Sequence, residues 1–111
     1  MSPSEASVVS GTLDLLILRT LSSGALHGYG IALNIKRLSG DALRVEEGSL
    51  YPALQRMQTK GWIKSEWKKS PTGRQARYYR LTAAGKKQLG EETSAFERSI
   101  AAITRVLRSS E

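Results

Sequence analysis

Seven cationic side chains, Lys60, Lys64, Lys68, Lys69, Arg74, Arg77 and Arg80, fall between residues 60 and 80 with one acid, Glu66, among them. The chemistry open to such a run is neutralisation of a polyanion. Each ammonium or guanidinium can displace a counterion from a phosphate, and an arginine can hold one through two parallel hydrogen bonds. The stretch carries net +6 of the chain's +7, because residues 1–59 balance to zero and residues 81–111 sum to +1. Charge confined to one element marks a polyanion-binding surface; the alternative is a solvated lysine-rich edge that discourages strand pairing.

Other chemistries lack their parts. The 111 residues include no cysteine, which removes disulfides, thiolate metal sites and redox chemistry and fits a reducing cytoplasm. His27 is the single histidine, so a histidine metal cluster is excluded and the residue reads as a loop or cap position. Glu46 and Glu47 are adjacent and diverge on a helix, and no glycine-rich phosphate loop joins a strand to a helix. The chain is therefore not expected to be an enzyme, or to need a cofactor or metal. The apolar run at residues 13–18 is broken by Asp14, is far too short to span a bilayer and follows no basic segment, so neither a membrane span nor a leader is expected.

The elements that must position the cations follow from periodicity. Ile63, Ser65 and Trp67 alternate with Lys64, Glu66 and Lys68, as in a strand. Ser70-Pro71-Thr72-Gly73 has the proline and glycine placement of a type I turn, and the return strand puts Tyr79 and Leu81 inward with Ala76, Tyr78 and Arg80 on the other face. Trp62 and Trp67 are expected to pack beneath this hairpin rather than stack on a ligand. Upstream, a helix over residues 48–60 is expected, with Ser49 as N-cap, Pro52 in the first turn and Gly61 ending it. Leu50, Leu54 and Met57 share its apolar face, leaving Tyr51, Gln55 and Arg56 facing elsewhere and Ser49 and Pro52 at an exposed tip.

Two further helices precede it. Thr12 is a candidate N-cap for a helix carrying Leu13, Leu15, Leu16, Ile17, Leu18 and Leu21 until Gly24 stops it. Apolar nearly all round, it is either a core helix or one sandwiched between the core and a second subunit. Gly28 and Gly30 bracket Tyr29 at the start of the next, where Ile31, Ile35 and Leu38 recur before Ser39-Gly40. After the hairpin, Thr82 caps a last helix whose Leu89, Thr93, Phe96, Ile100, Ile103 and Leu107 follow a heptad rhythm. That stripe must be covered by a partner helix, the preferred reading, or folded back over its own core. A helix-start signal, a short apolar helix and a very basic two-stranded hairpin, following one another over residues 47–85, make the layout of a winged helix-turn-helix. The fold class is therefore α+β, mainly α: three helices, a two-stranded β wing and a long C-terminal helix. Residues 1–10 are expected to form a flexible tail, 11–82 the winged domain and 83–111 the dimerisation helix.

Four motifs in order, Leu26-His27-Gly28-Tyr29-Gly30-Ile31, Gly48-Ser49-Leu50-Tyr51-Pro52-Ala53-Leu54, Lys60-Gly61-Trp62-Ile63 and Gly73-Arg74-Gln75-Ala76-Arg77-Tyr78-Tyr79-Arg80-Leu81-Thr82, resemble the PadR family of bacterial transcriptional regulators. The resemblance runs over about residues 11–107 and is closest to the short type with one C-terminal helix. It implies a cytoplasmic, nucleoid-associated homodimer on double-stranded DNA, most often a repressor, with an inverted-repeat operator and release by a small-molecule effector or another signal. Tyr29 matches the family's tyrosine, which would place a hydroxyl near a phosphate; the alternative is a half-buried core tyrosine. Short members can bind flat aromatic compounds between subunits, and Phe96 is the side chain that would line such a pore, unless it packs as plain coiled coil.

In a helix-turn-helix the second helix enters the major groove, so Ser49, Tyr51, Pro52, Gln55, Arg56 and Lys60 are the candidate recognition residues. Gln55 can pair with adenine, Arg56 with guanine or a phosphate, and the Tyr51 ring with a thymine methyl. Lys64, Lys68, Lys69, Arg74 and Arg77, with Tyr29, are the candidate wing and backbone contacts. Leu13, Leu16, Leu89, Phe96, Ile100, Ile103 and Leu107 are the candidate dimer interface. A protein-interaction module presenting the same basic wing to an acidic partner surface is the alternative function.

Overall fold

The computed structural model describes residues 6–7 and 12–111, so all of the expected tail but Ala6–Ser7 lies outside the described residues. Strand β1 (Ala6–Ser7) pairs in parallel with β3 (Leu43–Arg44). Three helices, α1 (Leu13–Leu21), α2 (Gly28–Leu38) and α3 (Glu47–Thr59), pack on a sheet formed by β2 (Leu26–His27), β4 (Ile63–Lys69) and β5 (Gln75–Leu81), and α4 (Ala83–Leu107) closes the chain. The sheet order is β2-β5-β4, all antiparallel. The expected two-stranded wing thus gains a third strand at its root, because Leu26 and His27 pair with Tyr79 and Tyr78.

The core forms where the apolar faces meet. Ile17, Leu18 and Leu21 of α1, Ile31 and Ile35 of α2, and Leu50, Ala53, Leu54 and Met57 of α3 are buried together with Ile63, Tyr79 and Leu81 of the sheet. Each fully buried Leu or Ile contributes about 1.5–3 kcal/mol relative to exposure, so this cluster holds α3 against α1, α2 and the sheet. Leu13, Leu16 and Leu89 are half-buried against the same core. Thr12 occupies the N-cap position of α1, but its side chain does not cap the helix amides.

The start of α3 differs from expectation. Glu46, not Ser49, is the N-cap: its backbone is extended (φ −78°, ψ 138°), and its carbonyl accepts from the amides of Ser49 at 3.0 Å and Leu50 at 2.9 Å. Ser49 is already the third helical residue. Pro52 consequently lies within the helix, past its first turn, where it cannot donate the usual bond to the carbonyl of Gly48 four residues back. At the other end, Gly61 adopts φ 77°, and the amides of Gly61 and Trp62 bond back to the carbonyls of Gln58 and Met57 at 3.0 Å each. This is a Schellman stop, which turns the chain straight into β4.

Thr82 joins that turn to α4. Its hydroxyl accepts from the Gly85 amide at 3.0 Å and lies 2.6 Å from the Gly61 carbonyl oxygen, to which it donates. A Cβ at Gly85 would overlap the Trp62 carbonyl oxygen, so the first turn of α4 can pack this closely only with glycine there. At about 1.5 Å per residue the 25-residue α4 extends about 37 Å, well beyond the small core. Its outer half keeps Phe96, Ile100, Ile103 and Leu107 exposed, at 40%, 45%, 52% and 78%.

Candidate nucleic-acid interface

With 3.6 residues per turn, burying Leu50, Ala53, Leu54 and Met57 forces Gly48, Pro52, Gln55 and Thr59 onto the opposite face of α3, and all four are exposed. Tyr51 lies on the flank of that face. Its ring is about half exposed, and its hydroxyl end rests against Gly28 at the start of α2.

Beside Tyr51 opens a groove of about 690 Å³, walled by Gly28 and Tyr29 of α2, by Tyr51, and by Trp67, Arg74 and Arg77 of the wing. Local structure sets each wall. His27 caps α2, its Nδ1 accepting from the Gly30 amide at 3.0 Å, and packs edge-on against Tyr78 with ring centres 5.4 Å apart. The cap turns Tyr29 outward, where it is 68% exposed, so it is not the half-buried core tyrosine that was the alternative. The wing turn closes through the Gly73 amide to the Ser70 carbonyl at 2.9 Å, with Gly73 at φ 86°, which carries Arg74 to the tip.

The pairing register divides the wing into two faces. Residues directly opposite one another in an antiparallel pair share a face. Trp67 with Arg77 and Lys69 with Gln75 therefore share the face of Ile63, Leu81 and Tyr79, which turns towards the core and the groove. Lys64 with Arg80, Glu66 with Tyr78, and Lys68 with Ala76 occupy the other. On the groove face, the Arg77 Nε–H donates to Ser65 Oγ at 2.8 Å and the guanidinium stands 5.8 Å from the Trp67 ring centre, which fixes its direction. Beneath them, burial raises the Tyr79 phenol above the usual tyrosine range, with the nearby Arg77 charge opposing the shift.

Several candidate residues thus converge and others do not. Tyr29, Tyr51, Arg74 and Arg77 line one groove, and Gln55 and Pro52 stand on the adjoining face of α3, with Ser49 exposed near its start. Lys69 shares the groove face at the wing's end. Arg56 is turned away: its guanidinium pairs with Asp14 of α1 at 2.7 Å. Lys60 lies past the helix end with its Nζ 4.6 Å from the Trp62 ring centre. Lys64 and Lys68 are on the far face, Lys68 also pairing with Glu66 at 3.3 Å.

Trp67 corrects an expectation. It is 63% exposed and does not pack beneath the wing, whereas Trp62 is half-buried against the core. The alternation places Trp67 on the inward face, but the core ends at Tyr79 and Ser65, one pair earlier. Gly28, Thr72 and Gln75 are further lining residues that were not among the candidates. Between α1 and α4, Leu15 and Phe96 line an open recess together with Glu92, Ala95 and Ser99.

The arrangement joins an exposed helix face, one tyrosine from each of α2 and α3 and a cationic ribbon, the set of groups a duplex engages through base edges and phosphates. Residues 17–91 match the family model described as the transcriptional regulator PadR-like family. The chain is 36% identical over 83 residues to a transcriptional regulator of Mycobacterium tuberculosis, covering 75% of this chain and 74% of that protein. A solved structure of a transcriptional regulator from Clostridium thermocellum superposes with a TM-score of 0.78 at 30% identity, over 86% of this chain and 92% of that one. A PadR-like transcriptional regulator from Bacillus cereus does so with a TM-score of 0.75 at 29% identity, over 89% and 94% of the two chains. No helix of the described residues is long and apolar enough to cross a membrane.

Proposed function

This chain belongs to the PadR-like family of transcriptional regulators, DNA-binding proteins rather than enzymes, and from that premise we propose that it is a cytoplasmic repressor that grips an inverted-repeat operator as a homodimer. The observation that carries the reading is the single groove shared by Tyr29, Tyr51 and the wing guanidiniums of Arg74 and Arg77. With α3 in the major groove, Gln55 and Tyr51 face base edges, and the ribbon lies along the neighbouring backbone. Tyr29 sits where its hydroxyl meets a phosphate on the other side.

Dimerisation is supported by α4. Phe96, Ile100, Ile103 and Leu107 form an exposed stripe at heptad spacing, and a second copy of the same helix covers it with the same residues about a two-fold axis. The two recognition helices then ask for half-sites about one helical turn apart, roughly 34 Å. A flat aromatic effector would enter between subunits beside Phe96, where Leu15, Ala95 and Ser99 form an open recess with Glu92 at its edge. Its binding would shift the angle between the two α4 helices and so the spacing of the recognition helices.

The test is selection from a pool of randomised duplexes followed by sequencing. Enrichment of an inverted repeat with half-sites about one turn apart supports the reading. An enriched motif without two-fold symmetry contradicts the homodimeric operator, and no enrichment contradicts sequence-selective binding altogether.

A further inference from the structure

Gly28 begins α2 with a backbone outside the left-handed region, so its conformation does not call for glycine. Nor does the first helical position, which tolerates most residues. Its neighbours explain the lack of a side chain instead. A Cβ on Gly28 would stand 2.8 Å from Tyr51 Oη, 3.0 Å from Cε1 and 3.1 Å from Cζ, all well inside the contact distance of about 3.5–4.0 Å. The same atom on Gly30 would meet nothing closer than 3.4 Å, and on Gly48 nothing within 4 Å. The contact joins the recognition helix to the start of α2 at the mouth of the groove.

We propose that Gly28 is a positioning residue for sequence discrimination: its missing Cβ makes the seat in which the Tyr51 phenol lies, and that seat sets how far Tyr51 reaches from the recognition helix. This rests on the DNA-binding reading given above. The clash with a larger residue resolves in one direction. The α2 backbone is held by Ile31 and Ile35, buried to 0% and 4% exposure, whereas the Tyr51 ring is 48% exposed and has open groove beside it. Tyr51 therefore moves and the helix does not. Gly28 is itself buried, but its backbone lies outside the left-handed region and the three atoms nearest an added methyl all belong to the Tyr51 side chain, so alanine there displaces the phenol without straining the backbone. A close approach of the Gly28 backbone to a phosphate would also favour glycine, and the two roles separate through Tyr51.

The experiment compares wild type, Gly28→Ala, Tyr51→Ala and the double variant at one protein concentration. Each is measured for its melting temperature and for its affinity towards the duplex enriched from the randomised pool and a scrambled duplex of equal composition. The proposal expects Gly28→Ala to lower the ratio of the two affinities about tenfold, the scale of one good base contact, with the melting temperature unchanged or raised. It further expects no additional loss when Gly28→Ala is added to Tyr51→Ala. A retained ratio in Gly28→Ala overturns the proposal. So does an equal loss in the Tyr51→Ala background, which would assign Gly28 to backbone approach rather than to Tyr51. Failure of the wild type to enrich any duplex is a different result: it removes the DNA-binding reading and Gly28's role along with it.

Discussion

The carboxylate of Asp14 in α1 lies 2.7 Å from the guanidinium of Arg56 in α3, tying the first helix to the recognition helix across 42 positions of sequence. Asp14 is the better buried partner, with its side chain 20% exposed against 53% for Arg56. Because α1 also packs against α4, the pair places the recognition helix one contact away from the helix that carries the exposed stripe.

The ion pair leads us to expect Arg56 to link α1 and α3 rather than to read bases. A double-mutant cycle with Asp14→Ala and Arg56→Ala, followed by urea unfolding at fixed protein concentration, is expected to give a coupling of about 0.5–1 kcal/mol that shrinks in high salt. In DNA binding, Gln55→Ala should reduce the ratio of enriched to scrambled affinity about tenfold, the scale of a bidentate base contact, and Arg56→Ala should change it by less than about twofold. The reverse order would mean that the ion pair opens on DNA.

The two faces of the wing predict different salt dependences. Each phosphate contact adds about 0.9 to the slope of log affinity against log salt. Arg74→Ala and Arg77→Ala should each lower the slope by about that amount, because both side chains line the groove. Lys64→Ala, on the opposite face beside Arg80, should leave it nearly unchanged. Equal effects from all three would place the DNA against the edge of the ribbon instead of its groove face.

Tyr79 gives an alkaline signature. Burial raises its phenol pKa, so above about pH 10 the unfolded chain releases a proton that the folded chain retains. Its contribution is fully present below that pH and is lost as pH rises through the higher folded value. Chemical unfolding of wild type and Tyr79→Phe between about pH 8 and 11 should therefore show a decline in wild type that the variant lacks. Parallel curves would mean that Tyr79 ionises as freely as in the unfolded chain.

The α4 stripe predicts the assembly. Placing a charge at its centre with Ile103→Asp buries an unpaired carboxylate in any helix pair formed there, and sedimentation velocity should show wild type as a dimer and the variant as a monomer. Retention of the helical signal by circular dichroism would confirm that the fold itself survives. A variant that stays dimeric would move the interface elsewhere.

The sequence carries much of this in local signals. The glycine that ends α3, the Thr82 cap and the long last helix depend on spacing and turn chemistry, and each appears where it was expected. The sharing of faces along the wing was equally legible from alternation. Where the core stops was not. Trp67 continues the inward alternation of Ile63 and Ser65, yet its exposure depends on how far the helices reach, a tertiary matter. The entry to α3 misled because Ser49 is a good cap by residue type, while the extended backbone that starts the helix belongs to Glu46, in the turn after β3. The partners of Arg56 and Gly28 are distant in sequence, and no periodicity links Asp14 to Arg56 or Tyr51 to Gly28. Strand β2 has two residues and no pattern to read.

Fluorescence anisotropy of the protein with the enriched duplex and its scrambled counterpart at about 50 and 200 mM salt, with the stoichiometry measured on the tighter complex, decides whether the chain is a sequence-selective dimer on DNA. A dimeric regulator binds the enriched duplex more tightly at both salts, loses affinity steeply with salt, and places two chains on each inverted repeat. Equal, weak binding to both duplexes would contradict that reading, and would leave the basic wing as a general electrostatic surface.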